Sequence, residues 1–115
     1  MEQERVENKK LLGDLGEELA AEVLRAENYE ILEMKYRCKV GEIDIVARRG
    51  DVIVFVEVKT RQSDIMGLPR EAVSSTKQQR IRAAALDYTS RIKETWKYMD
   101  FQVIEITVNQ ITRAF

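Results

Sequence analysis

Between Lys10 and Glu27 the apolar residues Leu12, Leu15, Leu19, Ala20, Val23 and Leu24 recur at steps of three and four, the periodicity of a helix with one buried stripe. Asn28 tolerates left-handed backbone and supplies a stop, and the bulky, β-type residues from Tyr29 to Arg37 predict a first strand. Two further β-rich runs, Glu42 to Ala47 and Val52 to Lys59, flank Arg48-Arg49-Gly50-Asp51 and predict a hairpin. With Gly50 and Asp51 at the centre of a type II′ turn, residues whose numbers sum to 101 stand opposite one another. Asp44 then faces Glu57, and Glu42 faces Lys59. Thr60 to Pro69 is polar and reads as a loop. From Arg70 to Ile92 helical spacing returns through Ala72, Val73, Ile81, Ala84, Ala85, Tyr88 and Ile92, with Ser74-Ser75-Thr76 as a break or recap. Phe101 to Val108 alternates as a last strand, and Ile111 to Phe115 forms a short apolar end.

This order, α-β-β-β-α-β, predicts an α/β domain over residues 1–115 with a mixed central sheet flanked by helices. Strict alternation puts Ile43, Ile45, Ala47, Val52, Val54, Val56 and Val58 on one face and Val46, Ile53 and Phe55 on the other, so both faces need covering. The acidic residues of the hairpin therefore interrupt a buried surface.

Composition narrows the chemistry. A chain of 115 residues, 44% hydrophobic and 34% charged, suits one globular core. Its longest apolar runs fall well short of the roughly 20 residues of a spanning helix. The charged start Met1-Glu2-Gln3-Glu4-Arg5 is unlike a secretory signal, which predicts a cytoplasmic protein without a membrane partner. One cysteine, Cys38, and no histidine exclude an internal disulfide and leave a zinc cluster without ligands, while oxygen-ligated metals stay open. The net charge of -1 hides an asymmetry: residues 1–33 carry 4 basic and 10 acidic side chains, and the remaining residues carry 15 and 10. A basic face on the C-terminal part is compatible with nucleic acid, and equally with ordinary solvated helix surfaces.

In a strand, residues two apart share a face, so Glu57 and Lys59 point together, and the predicted register adds Asp44 and Glu42 to them. Carboxylates crowded in this way repel one another and lose hydration unless a cation or a lysine compensates. Magnesium suits the role, being bound through one or two carboxylates plus waters and phosphate oxygens, and Asp44 and Glu57 are its candidate ligands. Lys59 would then position the attacking water or stabilise charge on the phosphorane. The competing reading is an internal ion-pair set at the sheet edge. On the first helix, at about 100° per residue, Glu17 projects within roughly 20° of Leu24 at the margin of the apolar stripe, while Glu18 falls on the solvated side. Gly13 and Gly16 would let this helix approach the sheet closely.

At these residues the chain resembles the YraN-type bacterial family, itself related to archaeal Holliday-junction resolvases and other nucleases of the PD-(D/E)xK class. The likeness runs through Gly13-x-x-Gly16-Glu17, Tyr29-x-Ile31-Leu32, Arg37, Gly41-Glu42-Ile43-Asp44, Val54 to Arg61, Lys77 with Arg80, and Ala114-Phe115. It implies a restriction-endonuclease-like core with Glu17, Asp44, Glu57 and Lys59 as catalytic residues. The function expected is a metal-dependent DNA endonuclease, with Mg²⁺ or Mn²⁺, acting on branched or single-stranded DNA in recombination, repair or DNA uptake. The alternative is a noncatalytic nucleic-acid-binding or adaptor module on the same fold. Phosphate contacts are expected from Arg61, Lys77, Arg80 and Arg82, with Arg37 and Lys39 as additions. A homodimer would suit a junction with two strands to cut, though no heptad or long unpaired apolar stripe demands one.

Overall fold

The computed structural model describes residues 2–62 and 73–109. The first helix, α1, spans Glu2–Ala26 and ends where Asn28 takes a φ of 69°, the left-handed stop expected of it. Strands β1 (Glu30–Cys38), β2 (Gly41–Arg49) and β3 (Val52–Gln62) follow, then α2 (Ser75–Thr89) and β4 (Tyr98–Val108). The sheet order is β1-β2-β3-β4, with β4 parallel to β3 and the other pairs antiparallel. This is the mixed, helix-flanked sheet the sequence predicts, consistent with a restriction-endonuclease-like core. Thr60 to Gln62, expected in a loop, instead continue β3 against β4, and the rest of that expected loop, 63–69, lies outside the described residues. Residues 70–72, a first piece of the second helical stretch, and the apolar end at 111–115 lie outside the described residues.

Ser74 is the recap: its backbone is extended, and its hydroxyl accepts from Lys77 N at 3.2 Å, satisfying one of the orphan donors at the start of α2. The hairpin turn also obeys its composition. Gly50 has a φ of 60° and Asp51 does not have a positive φ, as a type II′ turn requires. Pairs Ile45↔Val56 through Arg49↔Val52 keep the predicted register.

Two hydrophobic clusters cover the two faces. On one side Ala20, Ala21 and Leu24 of α1 pack on Ile45, Ala47, Val54 and Val56. On the other, Ala84, Ala85 and Tyr88 of α2 pack on Ile43, Val46, Ile53 and Phe55. Ile43 therefore lies opposite to the face expected from its alternation with Ile45. The exchange is shared with β1, where Lys35 takes a φ of 55° and Met34 packs on the α1 side while Tyr36 packs on the α2 side. Their partners Ile45 and Ile43 turn with them.

The stripe expected on α1 is also only half buried. Small residues make the contact, with Gly16, Ala20 and Ala21 lying against the sheet, and this draws the helix in so that its larger apolar neighbours turn outward. Leu15 and Leu19 are 62% and 51% exposed, and with Leu11 and Val23 they form an open apolar row that the sequence reading did not anticipate. No helix among the described residues is long and apolar enough to cross a membrane.

Candidate active site

The ladder between β2 and β3 ends at Ile45↔Val56. Continuing the same register would set Val58 opposite Ile43, but Ile43 has turned to the other face, and the Val58 N–H donates instead to Asp44 Oδ2 at 2.7 Å. Asp44 thus takes the place of a lost ladder acceptor and is held at the mouth of the opened hairpin. Around it lies a cavity of about 470 Å³ lined by Glu17, Asp44, Glu57, Val58 and Thr60, among others. Carboxylates from α1, β2 and β3 therefore line one cavity. Burial pushes the Asp44 carboxyl up to about 7, against the pull of the Val58 N–H, and the neighbouring charges of Glu57 and Glu17 raise it further.

Helix α1 reaches this cavity through Gly16, where a Cβ would meet Thr60 Oγ1 at 1.8 Å. Gly13 has open space around it, so the close approach expected of both glycines holds only at Gly16. Glu17 is 15% exposed in its side chain and points into the site, whereas Glu18 is exposed, as the helical geometry predicts. Glu17 Oε2 is shielded from solvent and lacks a well-directed hydrogen bond, although Lys35 Nζ lies 2.5 Å away as an ion-pair partner. The same ammonium bonds Asp14 at 2.7 Å, and these two partners hold Lys35 well above the usual lysine range.

Glu57 is ion-paired with Lys77 from the first turn of α2, which raises the lysine above its ordinary range. Lys77 thus lands on a carboxylate rather than standing clear for phosphate. Glu42 departs from expectation too: the β2–β3 ladder does not reach it, it lies opposite Arg37 on β1, and the Arg37 guanidinium is 3.5 Å from its carboxylate. Lys59 stands two residues beyond Glu57 on β3, partly buried, with Glu105 of β4 as its neighbour in register. Among the described residues no three acidic, cysteine or histidine side chains form a ready metal cage. Glu17 and Glu57 instead each rest on a lysine.

The basic residues divide into two groups. Arg37, Lys39, Lys77 and Arg80 border an open cleft of about 780 Å³ between the β1–β2 turn and the start of α2, with Glu42 among them. Gly41 lets α2 lie close against the β1–β2 turn at this cleft, because a Cβ there would lie 2.6 Å from the Arg80 carbonyl oxygen. Arg82 belongs elsewhere, its guanidinium 5.5 Å from the centroid of the Phe101 ring. Arg61 Nε lies 3.7 Å from Glu105. Sequence reasoning missed Lys35 as a partner of the site, since nothing in Met34-Lys35-Tyr36 announces a left-handed residue.

Comparison with known proteins places these residues in a family. A family model described as "Uncharacterised protein family UPF0102" matches residues 16–106, a span that holds Glu17, Asp44, Glu57 and Lys59. A UPF0102 protein of Caldicellulosiruptor saccharolyticus is 46% identical over 89% of this chain and 86% of its own length. One from Geobacter metallireducens is 50% identical over 85% and 80% respectively, and one from Nocardia farcinica 44% identical over 89% and 80%. The chain belongs to the UPF0102 family.

Proposed function

We propose that this protein is a divalent-metal-dependent endonuclease that hydrolyses phosphodiester bonds of branched or single-stranded DNA in the cytoplasm. The observation that carries the reading is the convergence of Glu17, Asp44 and Glu57, from three different elements, on one cavity beside a basic cleft. An Asp44 carboxyl pushed up to about 7 is the mark of negative charge gathered in a partly dry place, where a cation is stabilising.

The donor set fits a hard cation. Its candidate ligands are oxygens, Asp44 and Glu57 would hold it, and the shielded Oε2 of Glu17 stands at the same cavity. Bound there, magnesium or manganese would polarise a phosphate oxygen and acidify a water. Lys59, on the same side of β3 as Glu57, would orient the nucleophile or meet charge developing on the phosphorane. Lys77, released from Glu57, would join Arg80, Arg37 and Lys39 in holding the strand by its phosphates.

A second reading rests on the lysines themselves. Lys77 on Glu57 and Lys35 on Glu17 already neutralise two of the carboxylates, which is what a noncatalytic nucleic-acid-binding or adaptor module would retain. One experiment separates the two. Calorimetry with Mg²⁺ and a cleavage panel of branched, single-stranded and duplex DNA, with Mg²⁺, Mn²⁺ and chelator, should show metal binding and chelator-sensitive cutting of branched or single-stranded substrates. DNA binding with neither metal binding nor cutting would favour the adaptor.

A further inference from the structure

Among the described residues, the crossover helix α2 packs chiefly over β2 and β1, and so leaves the same side of β3 and β4 partly uncovered. There a cavity of about 250 Å³ opens between Phe55, Phe101 and Val103 on the sheet and Ile81 and Arg82 on the helix, with Glu57 at its border. Phe101 is 38% and Val103 50% exposed. Phe101 stacks on the buried Phe55, ring centroids 5.6 Å apart at 29°, and this fixes its plane. The Arg82 guanidinium stands 5.5 Å from the Phe101 centroid. Gln78, whose amide donates to the Val73 carbonyl at 2.9 Å, borders the same cavity from α2.

We propose that this cavity receives one unpaired nucleobase of the DNA strand being cut, stacked against Phe101 and Arg82. The inference rests on the nuclease reading above and names the substrate feature that the site selects. The space is below the roughly 300–1000 Å³ of pockets for drug-sized ligands, and suits a single planar ring. An aromatic face with an arginine beside it is what binding of unpaired bases uses, because every base has a π-face and its edges need polar partners. Charge fits as well. From Ser75 to Ala83 helix α2 carries no acidic residue, and Lys77 and Arg80 on it border the neighbouring cleft, so the phosphates next to a base stacked on Arg82 meet cations. Glu57 borders this cavity and also the one with Asp44, because β2 has parted from β3 at that point. A base seated on Phe101 would thus set an adjoining phosphodiester beside the carboxylates. A base held in a continuous duplex could not enter, which makes unpaired DNA the preferred substrate.

The test is binding of a single-stranded oligonucleotide to the full chain in chelator, where cutting plays no part, with an abasic position moved along the strand. In the parent, one position of the abasic site should weaken binding about 5- to 100-fold, as loss of a stacked base does. In Phe101→Ala that penalty should vanish while affinity for a blunt duplex changes little, and in Arg82→Gln the penalty should shrink. Phe101→Leu keeps the apolar contact with Phe55 but lacks a π-face, and carries the test if the alanine variant does not fold. A parent that binds the strand with no sensitive position, or a Phe101 variant that keeps the penalty, overturns the base pocket alone. A parent that binds no DNA of any form overturns the nuclease reading with it.

Discussion

The two ends of the β2–β3 hairpin obey different rules although they are the same pair of strands. Towards the turn, from Ile45 to Val56, the ladder is regular and Ile45, Val46, Ala47, Ile53, Val54, Phe55 and Val56 are all buried. Away from the turn the ladder stops, the faces exchange at Lys35 and Ile43, and the charged residues collect. A buried backbone group that loses its partner costs about 1–3 kcal/mol, and Asp44 meets that demand at Val58. The carboxylate is thereby fixed by the fold itself at the place where the ladder ends, beside a cavity. The regular end supplies stability, and the opened end holds the candidate site.

The sharpest way to break this division is at the carboxylates. Asp44→Asn and Glu57→Gln should lower metal-dependent cleavage by about 100-fold or more, on the scale of removing a main electrostatic contributor, with the fold retained. Lys59→Ala should keep Mg²⁺ affinity and lose turnover to a similar degree, because its interaction belongs to the transition state. Gel assays, calorimetry and circular dichroism on the same preparations separate these outcomes. Full activity in the Asp44 and Glu57 variants would mean that the opened end is structural.

Next in size is the contact that brings α1 to the site. Gly16→Ala drives a methyl into Thr60 and should cost about 1–3 kcal/mol of stability, much of it restored by Thr60→Ala. The same change at Gly13 meets open space, and should stabilise the helix by up to about 1 kcal/mol. Denaturant melts of the four proteins decide it, and equal effects at the two glycines would remove the case for a close approach.

A smaller contrast lies between neighbours. Glu17→Ala should reduce cleavage about tenfold, the low end of what a residue supporting metal ligands contributes, and Glu18→Ala should leave it near the parent. Equal rates in single-turnover assays would take Glu17 out of the chemistry.

The smallest effect is on pH. The folded Asp44 carboxyl sits near 7, above its unfolded value of 3.8, so between about pH 4 and 7 the folded state holds a proton that the unfolded state has lost. Its contribution to stability is therefore present in acid and declines as pH rises through that window. Asp44→Asn should remove this decline, and Mg²⁺ should oppose it in the parent while its own affinity grows towards neutral pH. Melting temperatures across the window, with and without metal, would show it. A parent and Asp44→Asn profile that run parallel would place the Asp44 proton elsewhere.

Much of this architecture was legible residue by residue where a local rule was strong. Gly50-Asp51 set the turn and with it the register, Ser74 set the start of α2, and helical spacing separated Glu17 from Glu18. These depend on backbone sterics and periodicity, which act over a few residues and are written in the chain. The expected pairing of Glu42 with Lys59 failed because it extended the ladder past the point where tertiary packing ends it. The apolar stripe of α1 failed in half its length because hydrophobicity says which residues prefer burial, while Thr60 against Gly16 decides how the helix sits and which of them obtain it. The left-handed Lys35 has no sequence signature, since a non-glycine residue adopts that conformation only where its surroundings hold it there.

By itself the sequence determined the order of elements, the hairpin register and the acidic residues available for chemistry. Only the tertiary structure decided where the ladder stops, which lysines neutralise Glu17 and Glu57, and that Phe101 stays partly exposed beside α2. The reason is range: turns, caps and periodicity are set by neighbours in the chain, whereas the end of a ladder and the partner of a charge depend on segments brought together by packing, Asp14 with Lys35 and Glu57 with Lys77.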